Sequence, residues 1–326
     1  MKKEIGGYFE FEEYFGEEFH AGALSLNCGR NALAYLIKAC QYTKIYIPEY
    51  ICGTVISGVE RGGAEWEHYK IDEHFLPDVS FNRSIDSSEA VLLVNYYGQL
   101  SQASILNFQK RFGNIILDNT QAFFQKAPLG VDTIYSCRKF FGVSDGAYLV
   151  SDKIKKKPMV RGMSAGKMMH IFGRYETDAS SYYPAFVAHE EQLKTEPIQS
   201  MSKLTHNLLR SIDYHRINSI RTRNALFLHK NLKSINALDV IIPDGIFMYP
   251  LYLPGKGERF RKLLQQEKIY VPCLWPELLK SCNTNSFAYM FAIDILPLPC
   301  DQRYGVEEMQ YILQKLSECS SGEGSH

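Results

Sequence analysis

The sequence predicts an α/β fold, in which a large domain with a mostly parallel sheet flanked by helices precedes a small α+β domain. Three observations indicate this. Short apolar segments rich in β-branched residues alternate with segments of helical spacing up to about residue 150. A largely helical pattern follows from about residue 163, and the last part of the chain is mixed again. The 326 residues are enough for two lobes.

Six segments of the large domain are predicted strands, namely 45–47, 64–69, 90–95, 114–117, 133–136 and 147–150. The sequences RNALAYLIKACQ, YICGTVISGVERG and QASILNFQKRFG lie between them and have helical spacing. Short buried strands that alternate with helices indicate a mostly parallel sheet with helices on both faces. In such sheets, ligands bind at the edge where the strands reach their carboxyl ends.

The C-terminal part contains one predicted strand, GIFMYPLYLP, and two predicted helices, KGERFRKLLQQEK and GVEEMQYILQKLSE. We place the large domain at residues 1–232, including a helical connection from about residue 163. The small domain spans 233–318, and a polar tail at 319–326 is expected to be disordered.

The composition argues against several classes of protein. The 36 basic and 36 acidic residues balance, so the chain lacks the basic excess of a nucleic-acid or membrane-surface binder. No apolar segment approaches the roughly 20 residues that span a bilayer. The eight cysteines form no Cys-x-x-Cys pair, and the nine histidines are dispersed. We therefore expect reduced thiols, no metal site and a cytoplasmic location.

Two ionisable residues fall at the ends of predicted strands. Asp118 follows segment 114–117, and Lys139 lies 21 residues later, after the next strand. In YSCRKFFGVSDGAYLVS the lysine precedes two phenylalanines, and partial desolvation would leave its amine nucleophilic. Separately, Asp118 fits a helix cap and Lys139 a surface turn. Together they favour pyridoxal 5'-phosphate (PLP), which requires a carboxylate for its pyridine nitrogen and an amine for a Schiff base.

Other candidates surround this pair. Gly29 opens a helix, which leaves the backbone amides of Arg30 and Asn31 for an anion such as the cofactor phosphate, and the Arg30 guanidinium pairs well with phosphate oxygens. Ser136, beside the lysine turn, supplies another donor. Tyr97, in NYYGQLSQ, ends a strand at the same edge, where it serves either turn packing or a ligand.

The order of these motifs resembles that of the DegT/StrS-type PLP-dependent sugar aminotransferases. The matching stretches are Gly29 at a helix start, then IPEY, YYGQ, DNTQA, SCRK with DGA, and MYPLYL, spread from about residue 5 to 313. The resemblance implies the fold type I architecture with a seven-stranded sheet. It implies that Lys139 is the Schiff-base lysine, that Asp118 binds the pyridine nitrogen, and that Gln121 lies beside the cofactor ring. Tyr97 matches an aromatic residue of the substrate site.

The chain departs from that family at several positions. Arg30 replaces a threonine of the phosphate loop, and Ile134 occupies the position of the family's serine. Cys52 stands where an aromatic residue stacks on the cofactor, with Tyr50 as a nearby substitute. The segment DASSYYPAFVAHEEQL replaces the one that reaches a neighbouring active site across the family's dimer.

The resemblance implies a homodimer that transfers an amino group from glutamate or glutamine to a nucleotide-linked keto-sugar, for cell-surface polysaccharide or related amino-sugar biosynthesis. Two alternatives stay open. One is a PLP-dependent sugar dehydratase or lyase, although the dehydratase relatives have histidine in place of the lysine that Lys139 matches. The other is a ligand-binding relative without catalysis.

Overall fold

A seven-stranded mixed sheet forms the centre of the protein in the computed structural model, which describes residues 5–154 and 160–321. Along the chain its strands are β1 (Leu24–Leu26), β2 (Lys44–Pro48), β3 (Glu65–Tyr69), β4 (Glu89–Val94), β5 (Ile115–Asp118), β6 (Asp132–Ser136) and β7 (Ala147–Val150). Across the sheet they lie in the order β1-β7-β6-β5-β4-β2-β3.

Neighbouring strands from β3 to β6 are parallel, and β7 runs antiparallel to both β6 and β1. The predicted mostly parallel sheet is therefore confirmed, and the six predicted strands match the observed bounds to within one residue. The strand β1 was not predicted, because its three residues are too short to show a pattern. Strands β4, β5 and β6 are almost wholly buried, as expected of a sheet covered on both faces.

Seven helices belong to this part of the chain: α1 (Gly29–Cys40), α2 (Gly53–Gly62), α3 (Gln102–Phe112), α4 (Met169–Glu176), α5 (Tyr183–Thr195), α6 (Lys203–Arg210) and α7 (Tyr214–Leu232). In α1, Ala32, Leu33, Leu36 and Ile37 form the buried face at helical spacing. Helix α2 begins three residues later than its predicted segment, because the backbone before Gly53 is extended.

The C-terminal part adds an antiparallel pair, β8 (Tyr249–Tyr252) and β9 (Ile295–Leu298), with helices α8 (Gly257–Gln266), α9 (Leu278–Ser281), α10 (Phe287–Asp294) and α11 (Val306–Ser321). A second apolar cluster lies here, and the C-terminal half of α7 packs into it while Tyr214 and Ile217 contact the main core. The domain boundary at 232/233 stays a prediction. Helix α11 continues past 319, and residues 322–326 lie outside the described part.

No helix within the described ranges has the length and apolar character needed to cross a membrane. In the same ranges, no three His, Cys, Asp or Glu side chains gather closely enough to hold a metal ion.

Candidate active site

The two principal candidates come from adjacent strands at the carboxyl edge of the sheet. Asp118 is the last residue of β5 and is 8 % exposed. Its Oδ1 accepts a hydrogen bond from the Thr120 backbone amide at 2.9 Å. Lys139 ends the short 3₁₀ turn Cys137–Lys139, which directly follows β6. The sheet thus brings a buried carboxylate and an amine to one edge, as the sequence predicted.

The Lys139 amine lies among polar and aromatic groups. Its Nζ donates to Thr120 Oγ1 at 3.3 Å and lies 5.6 Å from the centre of the Phe247 ring. The side chain is exposed to solvent. Crowding by protein nevertheless desolvates the ammonium and lowers its pKa, and Arg138 adds to this, whereas Asp118 and Cys52 oppose it. The result is an amine that solvent reaches and that loses its proton more readily than a surface lysine does.

The start of α1 faces the same place. A Cβ on Gly29 would lie 3.6 Å from Thr120 Cγ2 and 4.0 Å from Ile134 Cγ2. No side chain caps the first turn of this helix, so its backbone amides are available to an anion, and the predicted phosphate site there stays a prediction. Asp118 pairs in register with Ile134, and Ser136 lies two residues further along β6. Alternation along the strands puts all three side chains on the face that α1 covers.

The side chains of Arg30 and Asn31 form hydrogen bonds with other parts of the protein. Arg30 donates from Nη1 to the Leu193 carbonyl at 3.0 Å and from Nε to the Thr54 carbonyl at 3.3 Å. Asn31 is fully buried, and its Nδ2 donates to Asn27 Oδ1 at 2.9 Å. These side chains therefore fasten α1 to neighbouring segments. Of the predicted phosphate loop, the backbone amides are the groups that these contacts leave available to an anion.

Gln121 and Tyr97 are joined to each other. Gln121 is 2 % exposed, and its Oε1 accepts a hydrogen bond from the Tyr97 amide at 2.9 Å. Tyr97 has φ 53°, a left-handed conformation that costs a residue with a side chain about 1–3 kcal/mol. The hydrogen bond to Gln121 supports that turn. The Tyr97 ring is fully buried, so a direct contact with substrate needs movement of the surrounding residues.

Cys52 and Tyr50 occupy different environments. Tyr50 is fully buried, and its ring lies 4.5 Å from that of Trp275 and 5.2 Å from that of Tyr96. Cys52 precedes α2, is partly buried, and lies near enough to the Lys139 amine to affect its pKa. Of the two residues predicted to flank the cofactor ring, Cys52 is the one that affects the pKa of the amine, and Tyr50 contributes to the aromatic core.

Two contacts brace the loop that follows Lys139. Asp145 accepts hydrogen bonds from the amide and hydroxyl of Ser202, both at 2.9 Å, and from the Thr205 hydroxyl. Helix α5 packs on the other side of the loop. This helix comes from DASSYYPAFVAHEEQL, and its Glu190 forms an ion pair with Arg138 of the same chain. The segment without a counterpart in the family thus contacts its own lysine turn.

The sequence did not predict three residues of this site. Thr120 lies between two selected residues in DNTQ, so its proximity was readable from the strand-end position. Phe247 and Arg221 come from more than 80 residues beyond Lys139, and nothing in their local sequence marks them. Arg221 donates to the carbonyl of Phe140, the residue after Lys139, at 3.4 Å.

The fold is shared with solved structures of aminotransferases. The sugar aminotransferase CalS13 from Micromonospora echinospora has a TM-score of 0.62 at 14% identity, covering 91% of this chain and 87% of that one. A DegT DnrJ EryC1 StrS aminotransferase from Brucella abortus gives 0.60 at 14%, covering 91% and 85%. The PLP form of Spr1654 from Streptococcus pneumoniae gives 0.64 at 14%, covering 92% and 87%.

No protein-family model matches the chain, and no curated protein sequence matches it either. At identities near 14% the structural likeness establishes the fold, and it confirms the architecture that the resemblance implies.

Proposed function

We propose that the protein is a PLP-dependent aminotransferase. The observation that carries the proposal is the buried Asp118 carboxylate beside the desolvated Lys139 amine, at the ends of adjacent strands. The structural neighbours support it, since they are aminotransferases and one of them is a PLP form. PLP, when bound, supplies a reactive carbonyl and an electron sink.

The residues present fit this cofactor. Lys139 offers an amine to its carbonyl carbon, and Asp118 offers a carboxylate that keeps the ring nitrogen protonated. The amides at the start of α1 and the Ser136 hydroxyl offer donors to the phosphate. Cys52, which is near enough to the amine to affect its pKa, would lie beside the ring. With its pKa lowered, the Lys139 amine is able to accept a proton from a substrate carbon and return it.

We further propose a nucleotide-linked keto-sugar as amino acceptor and glutamate or glutamine as donor, in a cytoplasmic step of polysaccharide or amino-sugar biosynthesis. This finer assignment rests on the family resemblance and on the structural likeness to the sugar aminotransferase CalS13. The lysine at position 139, where the dehydratase relatives have histidine, favours transamination over dehydration.

Spectroscopy of the purified protein tests the cofactor and the reaction together. We expect added PLP to bind and develop a protein-bound visible band, and glutamate or glutamine to bleach that band by converting PLP to its amino form. A band that persists with both donors, together with loss of water from a sugar nucleotide, would instead support the lyase. Protein that takes up no PLP would contradict the proposal.

We propose that a second copy of the chain covers two exposed apolar regions. In residues 5–17, Phe9 is fully exposed and Phe15 is 88 % exposed, and Tyr175 near the end of α4 is 91 % exposed. Large exposed apolar patches commonly mark protein interfaces. These exposed rings and the family resemblance both support a homodimer.

The homodimer makes a direct prediction. We expect a dimer at micromolar concentration in analytical ultracentrifugation, and a shift toward monomer in the double variant Phe9→Ser with Tyr175→Ser. Leu129→Ser is the matched control, because Leu129 is 90 % exposed and belongs to neither of the two apolar regions. A wild-type monomer would refute this proposal. A dimer that both variants leave intact would place the interface elsewhere.

A further inference from the structure

Arg221 on α7 is a buried arginine whose hydrogen bonds to the described residues all go to neutral groups. It is 2 % exposed. Its Nη1 donates to the carbonyls of Ile246 and Phe247, both at 3.1 Å, and its Nε donates to Gln302 Oε1 at 2.7 Å. Its Nη2 reaches the Phe140 carbonyl at 3.4 Å. A guanidinium is costly to bury, so these contacts must offset a substantial desolvation penalty.

Gln302 completes the arrangement. Its Nε2 donates to the same Phe140 carbonyl at 2.6 Å, while its Oε1 accepts from Arg221. The nearest carboxylate in sequence, Asp301, is held by Arg303, whose Nε and Nη2 lie 2.7 and 2.8 Å from its oxygens. Asp301 therefore acts on Arg221 only at longer range. The direct contacts of Arg221 and Gln302 join Phe140 to the segment that contains Phe247.

Phe140 and Phe247 are both neighbours of Lys139. Phe140 directly follows it in the chain, and the Phe247 ring faces its amine at 5.6 Å. The two phenylalanine rings lie 5.7 Å apart, and the Arg221 guanidinium carbon lies 4.6 Å from the centre of the Phe140 ring. The relative position of Phe140 and Phe247 therefore sets how closely the amine is held against an aromatic surface.

We propose that Arg221 and Gln302 are positioning residues that hold the Lys139 amine against the Phe247 ring and so keep it partly out of water. The placement of the amine stands on the geometry of the chain alone. Its consequence for catalysis rests on the proposed function, because a nucleophilic amine is what the cofactor chemistry would use.

The proposal fixes the direction of a measurable change. Burial lowers the Lys139 pKa and Arg138 acts in the same direction, whereas Asp118 and Cys52 raise it. Loosening the contacts of Arg221 gives water more access to the amine and leaves those charged neighbours in place. The Lys139 pKa is then expected to rise towards that of an exposed lysine. Arg221→Lys keeps the positive charge, so it changes the positioning and not the net charge.

Competitive acetylation measures this without any cofactor. Full-length protein, freed of bound carbonyl compounds with hydroxylamine, is treated with trace acetic anhydride across pH 6–11, and Lys139 labelling is read by peptide mass spectrometry. We expect Arg221→Lys and Gln302→Met each to raise the apparent Lys139 pKa, with a several-fold loss of labelling at pH 8. Arg223→Lys is the control, because Arg223 is exposed on the same helix.

Circular dichroism and melting curves identify any variant that fails to fold, and the other variant then carries the test. Folded Arg221→Lys or Gln302→Met protein with the labelling profile of Arg223→Lys would overturn the proposal. A changed profile in a protein that binds no PLP would uphold the positioning role and refute the aminotransferase assignment. If the protein binds PLP and the variants show no change in the labelling profile, the positioning role is refuted and the proposed cofactor is upheld.

Discussion

Replacement of Lys139 by alanine is expected to abolish covalent attachment of PLP and to reduce amino transfer by at least about 10³-fold, because the variant lacks both the nucleophile and the proton carrier. The fold should persist, since within the described residues the Nζ of Lys139 makes a single hydrogen bond of 3.3 Å, to Thr120, and a distant contact with Phe247. The measurement is the visible spectrum after addition of PLP, followed by single-turnover kinetics with glutamate.

Two further variants make the result specific. Lys139→Arg keeps a positive charge near Asp118 but offers a guanidinium that stays protonated, so it is expected to fail like alanine. Lys126→Ala removes an exposed lysine from another loop and should leave spectrum and rate unchanged. A Lys139→Ala protein with wild-type spectrum and turnover would show that another residue performs the chemistry.

The sequence was sufficient for six of the seven strands of the large sheet and for placing Asp118 and Lys139 near strand ends. Buried strands of β-branched residues have sharp ends. Asp118 is the last residue of β5, and Lys139 lies three residues after the end of β6. In a parallel sheet the carboxyl ends of the strands lie at one edge. Residues at the ends of neighbouring strands are therefore expected to lie close together. Strand β1 was not predicted, because three residues are too few to show the alternation of apolar and polar residues that is typical of a strand. Its place in the sheet is set by pairing with β7.

The directions of side chains were much harder to predict than strand ends. Arg30 was expected to reach a phosphate, yet its guanidinium binds the Leu193 carbonyl of α5, a helix more than 150 residues away. Tyr50 was a candidate to flank the cofactor, yet it packs with Trp275. The direction of each side chain depends on which groups lie opposite it in the folded protein. Local sequence does not encode that partner, and the same holds for Phe247 facing Lys139.

The turn that carries Lys139 is held by contacts with distant parts of the chain. One of these contacts comes from α5, whose segment has no counterpart in the family. The turn is held from three directions, by Glu190 through Arg138, by Ser202 through Asp145, and by Arg221 through Phe140. Each contact is to a residue distant in sequence. A turn fixed in this way holds the Lys139 amine in place although the hydrogen bond of that amine to Thr120 is long, at 3.3 Å. This arrangement suits an amine that must be both exposed to solvent and partly desolvated.

Asp118→Asn is the second change with a large expected effect, and the structure makes it a clean one. Asparagine retains an Oδ1 that can accept the 2.9 Å hydrogen bond from the Thr120 amide, so the end of β5 should keep its shape. It loses the negative charge that would hold a protonated ring nitrogen. We expect amino transfer to fall by about 10²–10³-fold, as when one preorganised electrostatic partner is removed from an active site.

The same variant should make Lys139 more reactive in the cofactor-free protein. Asp118 raises the Lys139 pKa, so removal of its charge lowers that pKa further and increases acetylation near neutral pH. This change has the opposite sign to the one expected for Arg221→Lys, which general loosening of the site would not produce. Asp132→Asn is the control, because Asp132 is a buried aspartate at the start of β6, paired with Lys153 at 2.9 Å. Asp118→Asn protein with wild-type turnover would remove Asp118 from the proposed cofactor site, whatever its effect on the lysine.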